Sequence, residues 1–85
     1  MKLIYCTKCR DIVKLKYGRL HCICGASFGQ YINQTDIEIS GPCLILGIDN
    51  QKFEKAIEHP FLDIATIFRI REPHNRVIRS ESNEN

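Results

Sequence analysis

Hydrophobic and polar positions along the chain mark out a series of short strands and one helix. Val13, Leu15 and Tyr17 alternate with Lys14 and Lys16, Gly18 supplies a turn, and Leu20 and Cys22 alternate with Arg19 and His21. A period of two in both arms predicts a hairpin with one wet face, which would bring Cys9 back beside Cys22. The connector ASFGQYINQT has room for a short strand over residues 30–33. Ile37 and Ile39 then point inward while Asp36, Glu38 and Ser40 point out, as in a strand solvated on one face. Ser40, Gly41 and Pro42 predict a turn into CLILGI, and the two stretches together read as a second hairpin. CLILGI is apolar throughout, which suits a central strand, although periodicity alone leaves a buried helix segment open.

A helix follows. Asp49 or Asn50 can cap it, Phe53, Ala56 and Ile57 share a face, Glu54 and Glu58 lie on the other side, and Pro60 enforces a stop. At about two and a half turns it is too short to stand alone and is expected to pack its Phe53 face on a sheet. ATIFRIR, residues 65–71, reads as a strand from its β-branched and aromatic content, residues 72–75 as a turn, and residues 76–79 as a short edge strand. SESNEN, residues 80–85, is expected to be a disordered tail. The class predicted is α+β: an N-terminal β-hairpin unit over 1–29, then a small antiparallel β-β-α-β body over 30–79, packed together as one compact unit.

The cysteines change this picture most. Cys6 and Cys9 have two residues between them, Cys22 and Cys24 one, and twelve separate the pairs. Two tight knuckles brought together by a hairpin can present four thiolates to one Zn²⁺, so the N-terminal unit reads as a zinc ribbon with ligands Cys6, Cys9, Cys22 and Cys24. Gly25 after Cys24 favours a tight knuckle, whereas Arg10 holds the matching place after Cys9 and weakens the pattern there. Disulfides or buried free thiols are the other readings of the same cysteines. His21 could replace one sulfur but reads better as a strand histidine, and Cys43, inside CLILGI, as a small buried hydrophobe. A closed site of four thiolates leaves no open coordination position, so the metal would be structural. It would also supply roughly 10 kcal/mol or more of folding free energy, and the N-terminal half is expected to unfold without it.

Composition then bounds the rest. In 85 residues the core is marginal without a staple, which the zinc would provide. No stretch approaches the length of a membrane span, and MKLIY is followed at once by polar and charged residues, which leaves no apolar run for an export signal. Five cysteines without such a signal predict a reducing compartment, most simply the cytoplasm. The net charge of +2 is unevenly spread. Residues 1–25 carry Lys2, Lys8, Arg10, Lys14, Lys16 and Arg19 against Asp11 alone, while residues 26–60 hold Asp36, Glu38, Asp49, Glu54 and Glu58 against Lys52 and Lys55. The result is a basic head on an acidic body.

The order of these motifs, MKLIxCxKC, the CxCG knuckle, Gly29-x-Tyr31, the Ser40-Gly41 turn, the short helix with Phe53 and a terminal apolar strand, resembles a group of small uncharacterised bacterial and phage proteins with an N-terminal zinc ribbon. The resemblance covers the layout of residues 1–72, and only its cysteines are specific. It implies a metal-stapled small protein and carries over no catalytic residue.

Three classes of function follow from the residues. Lys8, Arg10, Lys14, Lys16, Arg19 and His21 would offer cations along the ribbon for weak, salt-sensitive nucleic-acid binding without sequence readout, with Tyr5, Tyr17 or Tyr31 able to stack on a base. Alternating lysines are equally how a hairpin keeps its outer face wet. The second class is a protein-interaction adaptor or inhibitor, docking through a sheet edge or through an acidic face with Asp36, Glu38, Glu54 and Glu58, and a homodimer through an edge is one version of it. Against an enzyme, His59, Asp63 and His74, or Glu54, Glu58 and His59, show no catalytic spacing, and no phosphate loop, nucleophile motif or HExxH occurs. The sequence therefore predicts a structural zinc-ribbon binding module, with nucleic acid narrowly ahead of protein as the partner.

Overall fold

The computed structural model describes residues 1–58 and 66–80. Among the described residues, eight strands and one helix follow one another as β1 (Lys2–Cys6), β2 (Ile12–Lys14), β3 (Leu20–His21), β4 (Phe28–Tyr31), β5 (Ile37–Ser40), β6 (Cys43–Ile48), α1 (Asn50–Glu58), β7 (Ile67–Ile70) and β8 (Val77–Arg79). The strands form two four-stranded sheets, in the orders β2-β1-β6-β7 and β3-β4-β5-β8. This is an α+β architecture with an N-terminal hairpin, and that hairpin is β1 with β2.

The pairings differ from those the alternation implied. The arms expected to form one hairpin between the knuckles part company, because β2 pairs β1 in the first sheet and β3 pairs β4 in the second. Likewise β5 and β6 do not pair with each other. Ser40-Gly41-Pro42 carries the chain from one sheet to the other, and β6 lies between β1 and β7, at the centre as its unbroken apolar run requires. The first sheet is antiparallel, but the second is mixed, since edge strand β8 runs parallel to β5.

The sheets enclose the core between them. Ile4, Cys43 and Ile45 from the first sheet meet Ile37 and Ile39 from the second, with Leu15 contributed by the segment joining β2 to β3. Val13, Ile70, Tyr31 and Val77 close its margins. Ile37 and Ile39 are fully buried, as the alternation predicts, whereas Ser40, expected outside, is fully buried too because the chain crosses to the other sheet there.

Asp49 caps α1, its Oδ1 accepting the amides of Gln51 (2.9 Å) and Lys52 (3.2 Å). No residue of the helix is buried, and Ile57 remains 67% exposed. The expected packing of an apolar helix face on a sheet is thus reduced to Phe53. This side chain reaches the rim between the sheets and, with Met1, Lys2, Lys14, Leu15 and Tyr31, lines a cleft of about 380 Å³. The two sheets already cover each other's inner faces, so Phe53 meets them only at the rim.

At the far end, the turn after β7 has a cis Glu72–Pro73 bond, and Arg79 on β8 clasps Glu72 (2.8 Å) while donating to the Gly41 and Cys43 carbonyls. Ser80 hydrogen-bonds Glu38 and the Ile39 carbonyl, so the first residue of the expected tail is tied to the second sheet. The Pro60 stop, Ala65 at the head of the predicted last strand, and tail residues 81–85 lie outside the described residues. Among the described residues, no helix is long and apolar enough to cross a membrane.

Candidate metal centre

Each pair of cysteines sits where a hairpin reverses. Cys6 ends β1, and the chain turns through Thr7, Lys8 and Cys9 into β2, closed by hydrogen bonds from Arg10 N to Cys6 O (2.7 Å) and from Cys6 N to Asp11 O (2.9 Å). Cys22 follows β3, and a tighter turn through Ile23 and Cys24 leads to β4, closed by Gly25 N to Cys22 O (3.0 Å) and Cys22 N to Ser27 O (3.0 Å). The first knuckle therefore belongs to one sheet and the second to the other. Asp11 ties them together, its Oδ2 accepting the Ile23 amide at 2.8 Å.

Both knuckles need a residue in the left-handed region directly after the second cysteine. Gly25 takes φ 77° there, and Arg10 takes φ 65° at the equivalent place. Arg10 thus adopts the conformation for which glycine is suited, at a cost of about 1 kcal/mol for a residue with a Cβ. Arg10→Gly is expected to raise stability by up to that amount, visible as a higher urea midpoint with an unchanged slope. A lowered midpoint would show that the arginine side chain contributes more than its backbone costs.

All four sulfurs of Cys6, Cys9, Cys22 and Cys24 lie within 4.8 Å of one another. Cys6 Sγ is 3.8 Å from Cys24 Sγ, which is 3.5 Å from Cys22 Sγ. Four sulfurs about 2.3 Å from a tetrahedral zinc would be about 3.8 Å apart, and a disulfide would need about 2.05 Å. The geometry is that of a group able to hold one metal ion, and all five cysteines are free.

The surroundings favour negative charge on sulfur. The Cys9 amide points at Cys6 Sγ (3.5 Å) and the Ser27 amide at Cys22 Sγ (3.4 Å), the backbone N–H donation expected of thiolate knuckles. The Ser27 hydroxyl, followed by the Cys9 amide, holds the Cys6 thiol down at about 6. That hydroxyl is fully buried and makes no hydrogen bond of ordinary geometry, so it is an orphaned donor beside the sulfurs, and its effect reflects proximity rather than a formed bond. Cys22 is desolvated by burial, yet the Ser27 amide brings its thiol below the ordinary value. Cys24 behaves oppositely: the Ala26 amide favours its thiolate, but desolvation and the neighbouring sulfurs push it up to about 11. Four sulfurs this close cannot all ionise unless a cation sits among them, and these residues fit a bound metal for that reason.

Cys43 lies outside this group. It is buried in the core, its thiol directed at the Ser40 carbonyl (3.7 Å), and desolvation raises its pKa.

The basic candidates are spread over both sheets, not over one hairpin face. Lys8 and Arg10 are on the first knuckle, Lys14 on β2, Lys16 and Arg19 on the segment between the sheets, and His21 on β3, all exposed. β2 and β3 are edge strands joined by that segment, so these residues follow one side of the molecule. Arg19 lies 4.1 Å above the Phe28 ring, and His21 faces the same ring at 5.4 Å. Of the tyrosines, Tyr17 is 66% exposed, with Tyr31 6.1 Å away, and Tyr5 is half-buried. His74 Nδ1 accepts the Arg76 amide within its turn, while His59 and Asp63 lie outside the described residues.

No protein-family model, curated protein or solved structure matches the chain.

Two contributors were not foreseen. Asp11 gave no signal beyond being the one acid in the basic head, and the bond between its carboxylate and the Ile23 amide has no periodicity to betray it. Ser27 could have been suspected as a small polar residue soon after a CxCG knuckle, where buried donors to sulfur are needed.

Proposed function

We propose that this protein is a zinc-stapled binding module whose metal is structural and whose β2–β3 side binds the phosphate backbone of nucleic acid without reading sequence. Zinc is the ion favoured by four thiolates at tetrahedral spacing, and such a site keeps no open position for catalysis. Native mass spectrometry is expected to find one zinc per chain that leaves only on denaturation. Iron, or no metal, would overturn the zinc assignment.

One observation carries the partner: among the described residues the ion pairs are Arg76–Asp36 and Arg79–Glu72, so the cations of the β2–β3 side are left unpaired. Lys8, Arg10, Lys14, Lys16 and Arg19 are exposed in sequence along that side, with Tyr17 open beside them. Neutralising about five phosphates would make affinity fall a few hundred-fold between about 50 and 200 mM salt. The double variant Lys14→Glu, Lys16→Glu is expected to abolish binding of an unstructured oligonucleotide while leaving thermal melting nearly unchanged, since both side chains are exposed. Undiminished binding by that variant would remove nucleic acid as the partner.

A further inference from the structure

The first sheet is apolar on both sides, and among the described residues only one side is covered. Register places Ile12, Tyr5 and Leu44 in one cross-strand row on the face turned away from Ile4 and Ile45. The next row on that face is Lys14, Leu3, Leu46 and Arg69, running from edge to edge of the sheet. Ile48 and Ile67 continue it. Ile12 and Ile67 are 52% and 56% exposed, and the others on the apolar strip are half-buried, none of them fully. Among the described residues no element covers this face, because β3, β4, β5 and β8 pack on the opposite one and α1 meets the rim through Phe53. A strand apolar on both faces is normally covered on both, and a contiguous apolar patch on a small protein marks an interaction surface.

Charge and spacing describe what would cover it. The four strands contain no Asp or Glu, and the polar side chains that end the central row, Lys14 on β2 and Arg69 on β7, are both cationic. The same face of a second copy, packed against this one, would therefore set cations against cations. Lys14 and Arg69 stand three strand spacings apart, about 14 Å, on either side of the strip formed by β1 and β6. An α-helix is about 10–12 Å across with its side chains, so one laid along β1 and β6 fits between the two cations.

We infer that the outer face of the β2-β1-β6-β7 sheet docks an amphipathic helix of a partner protein, its apolar stripe on Leu3, Tyr5, Leu44 and Leu46 and its acidic flanks toward Lys14 and Arg69. This surface adjoins the β2–β3 side and shares Lys14 with it, and it uses burial of apolar area for affinity and two rim charges for orientation.

The test uses the metal-loaded full chain and two synthetic helical peptides with the same leucine stripe, one flanked by glutamates and the other by lysines. The acidic peptide is expected to bind at least about tenfold tighter and to shift the methyl resonances of Leu3, Leu44 and Leu46. Arg69→Glu, an exposed change away from the β2–β3 side, is expected to weaken the acidic peptide by about fivefold and to leave oligonucleotide binding as it was. Leu46→Asn should lose the peptide altogether, and because that variant can fail to fold, the Arg69 variant keeps the test decisive. Equal binding of both peptides, or shifts confined to other residues, would overturn the proposal. So would concentration-dependent dimerisation that broadens these methyls, capture of the face by phosphatidylglycerol vesicles but not by the acidic peptide, or contacts from residues 59–65 of the chain itself to these methyls in the free protein.

Discussion

Stripping the metal, or replacing Cys22 by serine, is expected to unfold both sheets in one step rather than merely loosen two turns. Cys6 and Cys9 close the β1–β2 hairpin, Cys22 and Cys24 close the β3–β4 hairpin, and these hairpins belong to different sheets. One ion held by all four sulfurs would therefore be a cross-link between the layers, placed beside the core those layers enclose. Structural zinc contributes on the order of 10 kcal/mol, comparable with the whole stability expected of a domain this size at about 0.05–0.15 kcal/mol per residue. Cys22 is also buried and receives the Ser27 amide, so serine, with its shorter side chain, would remove a thiolate and loosen a hydrogen-bonded contact at once. Circular dichroism during a thermal scan should show a cooperative transition that disappears in excess chelator and returns when zinc is restored. Cys43→Ala, which changes a buried thiol outside the group, should keep both the transition and the metal. A melting curve indifferent to chelation would show that the sulfurs hold nothing the fold depends on.

What was legible in the sequence was whatever depends on spacing or on side-chain alternation within one element. Two close cysteine pairs are recognisable because ligand geometry demands short loops, and the structure does bring Cys6, Cys9, Cys22 and Cys24 together. Ile37 and Ile39 point inward as their alternation with charged neighbours implies, and Asp49 caps the helix it precedes. Pairing partners were another matter. Alternation says which face a residue occupies but not which strand lies beside it, so the arms around Gly18 read equally well as a hairpin or as edges of two stacked sheets. The structure takes the second course, and the four cysteines are what make the difference: each pair closes its own hairpin, so β2 and β3 already have partners in β1 and β4. Arg10 misled in the opposite sense. Its Cβ argued against a left-handed turn, yet the knuckle imposes one, and the local preference yields to the placement of sulfur.

Ser40-Gly41-Pro42 repeats the lesson, and it yields the second large effect. As a sequence it has the makings of a hairpin turn; in the fold it is the crossover against which both knuckles rest. Thr7, in the first knuckle, donates its amide (2.8 Å) and its hydroxyl (2.9 Å) to the Pro42 carbonyl. The second knuckle meets the crossover at Gly41, where an added Cβ would fall inside the van der Waals envelope of the Ala26 carbonyl oxygen, 2.7 Å from Ser27 Cα and 2.9 Å from the Ala26 carbonyl carbon. These are backbone atoms, which cannot rotate aside, and Gly41 also has φ 93°, a conformation that strains any residue with a Cβ. From β8, Arg79 donates to the Gly41 carbonyl at 2.6 Å and holds the crossover from the other side. Gly41→Ala therefore has no cheap relaxation, because moving Gly41 disturbs Arg79 and Pro42, and moving Ala26 and Ser27 disturbs the donors to sulfur. We expect a loss of about 4 kcal/mol or more, in the range reserved for overpacking combined with backbone strain. The variant should also bind metal more weakly, since Ser27 supplies the Cys22 contact. Denaturant unfolding at saturating zinc, paired with competition for zinc by a chromogenic chelator, separates the two effects. A midpoint within experimental error of the parent would mean that Gly41 and the second knuckle are not in contact, and that the metal joins the two sheets without support from the crossover.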